Sequence, residues 1–194
     1  MTEINRGTPR NVSLVDYCDF VLSLADICCR EKWRKDRHCW YLYRQSFYGL
    51  FDYLGPLARV IASEAALVEF EKKGLNCDMR DMGWGDQPRF DNGRAKGTFH
   101  LEHVYTGHMF RQDVEKLLHE TDRARSLAEI VKQKYCVAWI LKSEDKKLGR
   151  GDRGDSLESA FAYYRRCGVS LAERSRVNDA LELAKVHQKG SGPA

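Results

Sequence analysis

From Val15 onward the apolar residues Phe20, Val21, Leu24, Ala25, Ile27 and Cys28 return mostly at steps of three and four, the spacing that gathers side chains on one face of a helix. Residues 1 to 11 read as a polar arm, and Ser13 or Asn11 is placed to cap the helix that follows. Trp40, Tyr43, Phe47, Leu50 and Phe51 predict a second helix that ends or kinks near Gly55-Pro56, and Leu57 to Lys73 predict a third, stopped by Gly74. The first 74 residues therefore read as helical.

The pattern changes at Gly74. To Gly97 the chain holds five Gly, one Pro and six Asp/Asn with no helical period, which predicts loops with at most one short strand. Phe99, Leu101 and His103 then alternate with His100, Glu102 and Val104, so a strand is expected near residues 98 to 105, its first set being the more apolar face. Val114, Leu117 and Leu118 supply the stripe of a helix over Phe110 to Glu120, and Ser126 to Lys134 a further one, capped by Ser126 or Thr121. The apolar run from Tyr135 to Leu141 has the length and residue types of a buried strand, and a brief helix follows from Ser143. Gly149 to Asp155 is a charged, glycine-rich loop. From Ser156 to Lys185 the pattern is helical again, broken at Gly168, and a disordered tail is expected over 188–194.

These elements predict an α+β fold, predominantly helical, with a small mixed centre of two or so short strands. Three segments precede the tail: a helical region over 1–74, a mixed centre over 75–155, and helices over 156–187. At roughly 150 residues per domain, 194 residues leave no room for two large domains.

Composition narrows the classes. With 43% hydrophobic and 31% charged residues the chain reads as a soluble globular protein. Val12 to Cys29, its most apolar stretch, is broken by Asp16, Asp19 and Asp26, so no membrane span is expected. The first ten residues lack the order of a signal peptide, and seven cysteines make an odd number, so a cytoplasmic protein with cysteines kept as thiols is expected. Cys28, Cys29, His38 and Cys39 form a group that could be read as four zinc ligands. Adjacent cysteines on a helix diverge by about 100°, which favours buried thiols instead.

Four of the six histidines, His100, His103, His108 and His119, fall within twenty residues, beside Glu102 and Asp113. Imidazoles and carboxylates are what a divalent metal and a general base both need. On a strand, Glu102 and His103 point to opposite faces, so they cannot both face the core.

The segment Phe99-His-Leu-Glu-His-Val, a following helix, and the later strand Val137-Ala-Trp-Ile-Leu with Lys142-Ser-Glu-Asp-Lys-Lys-Leu resemble the active-site region of HNH-type nucleases of the ββα-metal class. The resemblance covers about residues 97–148 and implies a metal-dependent nuclease acting on DNA or RNA. It implies that His103 deprotonates the attacking water while Glu102 helps hold Mg²⁺ or Mn²⁺. No Asn occurs between Asn92 and Asn178, so a further ligand falls to His108, Asp113 or His119, with Glu144 more distant.

The stretch from Arg30 to Arg44, ends included, holds six Lys/Arg and the aromatics Trp33, Trp40, Tyr41 and Tyr43. Basic groups neutralise phosphates and aromatic rings stack on bases, so Arg30, Lys32, Trp33, Arg34, Lys35 and Arg37 are candidates for nucleic-acid contact. Lys146, Lys147 and Arg150 form a second basic group. On a helix Trp33, Trp40 and Tyr43 also suit a core stripe, which supports the alternative of a non-enzymatic helical protein that binds a protein partner or nucleic acid through a basic aromatic face. A homodimer is compatible with either reading.

Overall fold

The computed structural model describes residues 12–30, 35–54, 58–92, 97–149 and 151–172. The fold is α+β and mostly helical, with one four-stranded sheet in the order β2-β3-β1-β4. The polar arm, the stretch 31–34, Gly55-Pro56 and everything beyond residue 172, including the expected last helix and tail, lie outside the described residues.

Helix α1 (Leu14–Cys29) opens on Ser13, whose hydroxyl accepts from the Asp16 amide at 3.2 Å while the Asp16 carboxylate accepts from the Ser13 amide at 3.0 Å. This reciprocal cap satisfies two amides that have no partner inside the helix. Hydrogen bonding to Ser13 holds the Asp16 carboxyl below its ordinary value. Cys18, Val21, Leu22, Ala25 and Cys28 form the buried stripe.

In α2 (Arg37–Leu54) Asp36 caps the start by accepting from the amides of His38 and Cys39, both at 2.8 Å. Tyr43, Phe47, Leu50 and Leu54 are buried at helical spacing. A Cβ on Gly49 would stand 2.2 Å from the Tyr17 hydroxyl oxygen, so the residue must be glycine for Tyr17 to stack on Tyr53 at 3.9 Å and donate to the Ser46 carbonyl at 2.7 Å.

The third expected helix is only partly present. Arg59–Ser63 is strand β1, and helix α3 (Glu64–Glu71) starts after it, with the Ser63 hydroxyl accepting from the Ala66 amide at 3.0 Å. Val60 and Ile61 are β-branched and Ser63 is a helix cap, so the local chemistry suits a strand that hands over to a helix. A short apolar run carries no period able to distinguish the two.

Two 3₁₀ turns, Met79–Asp81 and Trp84–Arg89, occupy the stretch expected as loops. Strand β2 (Phe99–His103) and strand β3 (Cys136–Leu141) fall where the alternation and the apolar run place them. Between them lie α4 (Gly107–Leu117), capped by Thr106, and α5 (Arg123–Lys134), which begins after Asp122. After β3 come α6 (Lys142–Leu148) and α7 (Leu157–Arg166). The latter ends at Gly168, where φ is +71°. Just after it the chain forms β4 (Leu171–Ala172), antiparallel to β1 with Ala62 opposite Ala172, and the rest of the stretch expected as helix lies outside the described residues.

The described chain groups into two compact units, one within 1–60, 102–137 and 150–163, the other within 61–101, 138–149 and 164–194. Each draws on all three segments read from composition. In the first unit α1 packs on α2, α4 and α5, with Arg123 bonded to Asp26 at 2.7 Å. In the second, Phe70, Phe90, Phe99 and Trp139 meet mostly edge to face around a buried centre.

The second unit also fixes the entry to β2. One carboxylate, Asp91, accepts from the amides of Asn92, Thr98 and Phe99 and from the Gln87 side chain, at 2.8 to 3.1 Å. Partial burial raises its pKa, but these four bonds together outweigh it and leave the carboxyl below its ordinary value. The folded pKa is depressed, so this stabilisation is complete above the ordinary carboxylate range and is lost as pH falls through the lower folded value. Asp91→Ala is expected to cost about 1–2 kcal/mol at neutral pH, the site being half exposed and screened. The difference from the parent should shrink below about pH 4. Urea titration at a series of pH values measures both.

Candidate metal centre

Three ligand-bearing side chains converge at β2 and α6. His100 and Glu102 are two residues apart on β2 and so share one face of the strand. Asp145 stands in the first turn of α6, and the ligand atoms of His100, Glu102 and Asp145 all lie within 4.8 Å of one another. All three residues are half-buried.

The local sequence explains why Asp145 is there. β3 runs directly into α6, and the Lys142 amide donates to the Thr98 carbonyl at 2.9 Å, tying the first residue of the helix to the start of β2. Glu144 is buried and turned back on the helix start: its carboxylate accepts from the Leu141 amide at 2.8 Å and from the Ser63 hydroxyl at 2.6 Å. About 100° of helical rotation then separates Asp145 from Glu144, so one carboxylate serves the cap and the next turns toward His100.

The chain matches no protein-family model, no curated protein and no solved structure. What this group can do therefore rests on its own chemistry. One imidazole and two carboxylates form a nitrogen and oxygen donor set suited to Mg²⁺, Mn²⁺ or a similar divalent ion.

Glu102 is also ion-paired with Arg153, whose guanidinium Nη1 donates in addition to the His103 carbonyl at 3.1 Å. The two side chains are only 12% and 17% exposed for Arg153 and Glu102 respectively. Arg153 comes from the loop after α6. In that loop Gly149 and Gly154 take positive φ, and a Cβ on Gly151 would stand 2.0 Å from the Tyr163 hydroxyl oxygen.

Of the residues singled out from sequence, Glu102 belongs to this group. His103 points to the other face of β2, as alternation requires. Its ring lies 5.0 Å from that of Phe47, 5.2 Å from Tyr48 and 6.0 Å from Tyr135, inside the first unit's aromatic cluster. Asp113 is buried in α4, accepting from the Tyr105 hydroxyl at 2.9 Å and from Lys134 Nζ at 2.9 and 3.0 Å. His108 and His119 are exposed. Among the described residues, His100–Glu102–Asp145 is the one group of three or more metal-ligating side chains, so His108, Asp113 and His119 are not brought to Glu102.

The cysteine group does not assemble either. All seven cysteines are thiols, and no metal-ligating group forms at Cys28, Cys29, His38 and Cys39. Burial, reinforced by a hydrogen bond with Cys39, pushes the Cys28 thiol up to about 12.

The basic candidates divide. Arg30, Lys35 and Arg37 are exposed at the end of α1 and the start of α2, and Lys146 and Lys147 are exposed on α6. Lys32, Trp33, Arg34 and Arg150 lie outside the described residues. Among the described residues no helix is long and apolar enough to cross a membrane.

Sequence reasoning missed His100 and Asp145 as ligands. The His-x-Glu spacing signals the first, since two residues apart on a strand means one face. Nothing local signals Asp145, whose position depends on how α6 is tied to β2.

Proposed function

We propose that the chain is a metal-dependent phosphodiesterase acting on DNA or RNA, with Mg²⁺ or Mn²⁺ held by His100, Glu102 and Asp145. The convergence of these three donors carries the reading. When bound, such an ion would polarise a phosphoryl oxygen and lower the pKa of a coordinated water. The chain's own part is to fix the donors on a strand and a tethered helix, and to bring the exposed Lys146 and Lys147 on α6 as positive charge for a polyanion. Thiol cysteines suit a reducing compartment such as the cytoplasm.

This reading differs from the HNH resemblance in its residues: it draws on His100 and Asp145, and it gives no role to His103. Calorimetric titration with Mn²⁺, run beside a plasmid and RNA cleavage assay, tests it. His100→Ala and Asp145→Asn are each expected to weaken Mn²⁺ binding by about 10–100-fold and to abolish cleavage at the same ion concentration. His103→Ala should keep both. Wild-type protein that takes up neither Mn²⁺ nor Mg²⁺ overturns the proposal.

A second reading, a non-enzymatic binding protein, draws on the outer face of α2. Tyr41 and Leu42 are exposed there, and the Arg111 guanidinium lies 4.5 Å over the Trp40 ring. Salt-sensitive oligonucleotide binding indifferent to metal would favour it.

A further inference from the structure

Away from the metal centre, the end of α1 and the start of α2 bring cysteines together. Cys28 is fully buried in the last turn of α1, and its thiol is in hydrogen-bonding contact with that of Cys39. Cys39 is half-buried in the first turn of α2, where the Asp36 carboxylate holds its amide at 2.8 Å. Tyr43 follows Cys39 by four residues, one turn on along the same face of α2, and a helical side chain leans back over the turn before it. The Tyr43 hydroxyl is buried and finds no hydrogen-bond partner among the described residues. The groups that act on it electrostatically are Glu115, Arg111, Cys29 and Cys28. An unpaired phenol in a core costs stability, and a thiol is only a weak acceptor for it. A sulfur that gained an oxygen would supply the acceptor it lacks.

We propose that Cys28 and Cys39 form a redox-modifiable dithiol, which a hydroperoxide converts to a disulfide joining the end of α1 to the first turn of α2. Hydrogen peroxide reaches the half-buried Cys39 before the fully buried Cys28. The Cys39 thiolate attacks one peroxide oxygen: an S–O bond forms, the O–O bond breaks, and the departing hydroxide takes up the proton that Cys39 released, giving a sulfenic acid and one water. Tyr43 donates to the new oxygen. The Cys28 sulfur then attacks the Cys39 sulfur, the S–O bond breaks, and hydroxide leaves with the Cys28 proton as a second water. Each sulfur has given up one electron, and the peroxide has taken both. A disulfide holds its sulfurs about 2 Å apart, and sulfurs already in hydrogen-bonding contact close that gap by side-chain movement. In a reducing compartment such a bond is transient, and a dithiol reductant returns both thiols. The inference is independent of the metal centre.

The experiment treats the reduced full-length protein with hydrogen peroxide, follows its helical signal by circular dichroism, blocks remaining thiols with iodoacetamide and maps the peptides by mass spectrometry without reduction. Wild type is expected to yield a peptide pair linked through Cys28 and Cys39 while the helical signal is kept, and dithiothreitol should return both thiols. Cys28→Ala should form no such link and accumulate a sulfenic acid at Cys39, trapped by dimedone. Cys29→Ala should form the link as wild type does. Tyr43→Phe, which keeps the ring and loses the donor, should slow formation of the link about fivefold, the worth of one hydrogen bond. Folded wild type in which Cys28 and Cys39 both take up iodoacetamide after peroxide overturns the inference, as does Cys39 joined to Cys29 instead, or a link that appears only once the helical signal is lost. An unchanged rate in Tyr43→Phe overturns the part given to its hydroxyl. The wild-type map decides the pairing even if a variant fails to fold.

Discussion

Trp139→Ala should lower the stability of the protein by about 3–5 kcal/mol, the largest effect expected of any single substitution in the second unit. Trp139 is fully buried in β3, meets the edge of Phe90 at a ring separation of 5.4 Å, and donates its indole N–H to the Met82 carbonyl at 2.9 Å. Alanine removes the apolar surface, leaves a cavity between the sheet and the 3₁₀ turns, and strips a carbonyl of its partner. The two losses separate with Trp139→Phe, which keeps most of the packing and forfeits only the hydrogen bond, at about 1–2 kcal/mol. Chemical denaturation gives both values, and the melting temperature should fall by about 10 °C for alanine. Equal effects for the two variants would mean that the hydrogen bond, not the packing, carries the site.

Asp113→Ala is expected to cost about 2–4 kcal/mol. The carboxylate is 5% exposed and takes three hydrogen bonds, one from Tyr105 and two from Lys134. Removing it strands the Tyr105 hydroxyl, which is itself buried, and leaves Lys134 without its counter-charge. Burial, and after it the Asp113 charge, raises the pKa of the Tyr105 hydroxyl. Lys134→Met should cost less, about 1–2 kcal/mol, because its side chain is 36% exposed and water screens the pair. Mn²⁺ titration of the Asp113→Ala protein adds a second readout: affinity should be unchanged, since Asp113 braces α4 and stands apart from the group on β2 and α6. A lost affinity in a folded variant would return Asp113 to the metal site.

Asp113 shows where the sequence stops being informative. As a carboxylate among histidines it reads as a candidate ligand, and only the packing of α4 on α5, which brings Lys134 to it, makes it a brace. Arg153 is the converse. It sits in a glycine-rich charged loop that reads as solvated, yet it lies mostly buried against β2. A charge reveals its chemistry in sequence but not its partner, because the partner comes from a distant stretch of chain.

β1 illustrates the same point for the fold. Arg59–Ser63 reads as helix because it joins a longer helical pattern, and what makes it a strand is the space it fills between β3 and β4. Likewise, Gly168 correctly ends α7, but that the next residues pair with β1 depends on Ala62 and Ser63 standing opposite Ala172 and Leu171 respectively.

By itself the sequence determined the features that depend on near neighbours: that α1 is a helix, with Val21, Ala25 and Cys28 in its buried stripe, the face of α2, the alternation of β2 and the apolar run of β3; Val15, Phe20 and Ile27, read into the same α1 stripe, are exposed, while Cys18 and Leu22 are buried. It also determined that Glu102 and His103 part to opposite faces, and that His100 goes with Glu102, since side chains on a strand alternate. The tertiary structure alone decided that Asp145 completes the donor group, that Arg153 pairs with Glu102, and that His103 is enclosed by Phe47, Tyr48 and Tyr135. Each of these joins residues dozens of positions apart, and periodicity fixes only which way a side chain points, not what it meets.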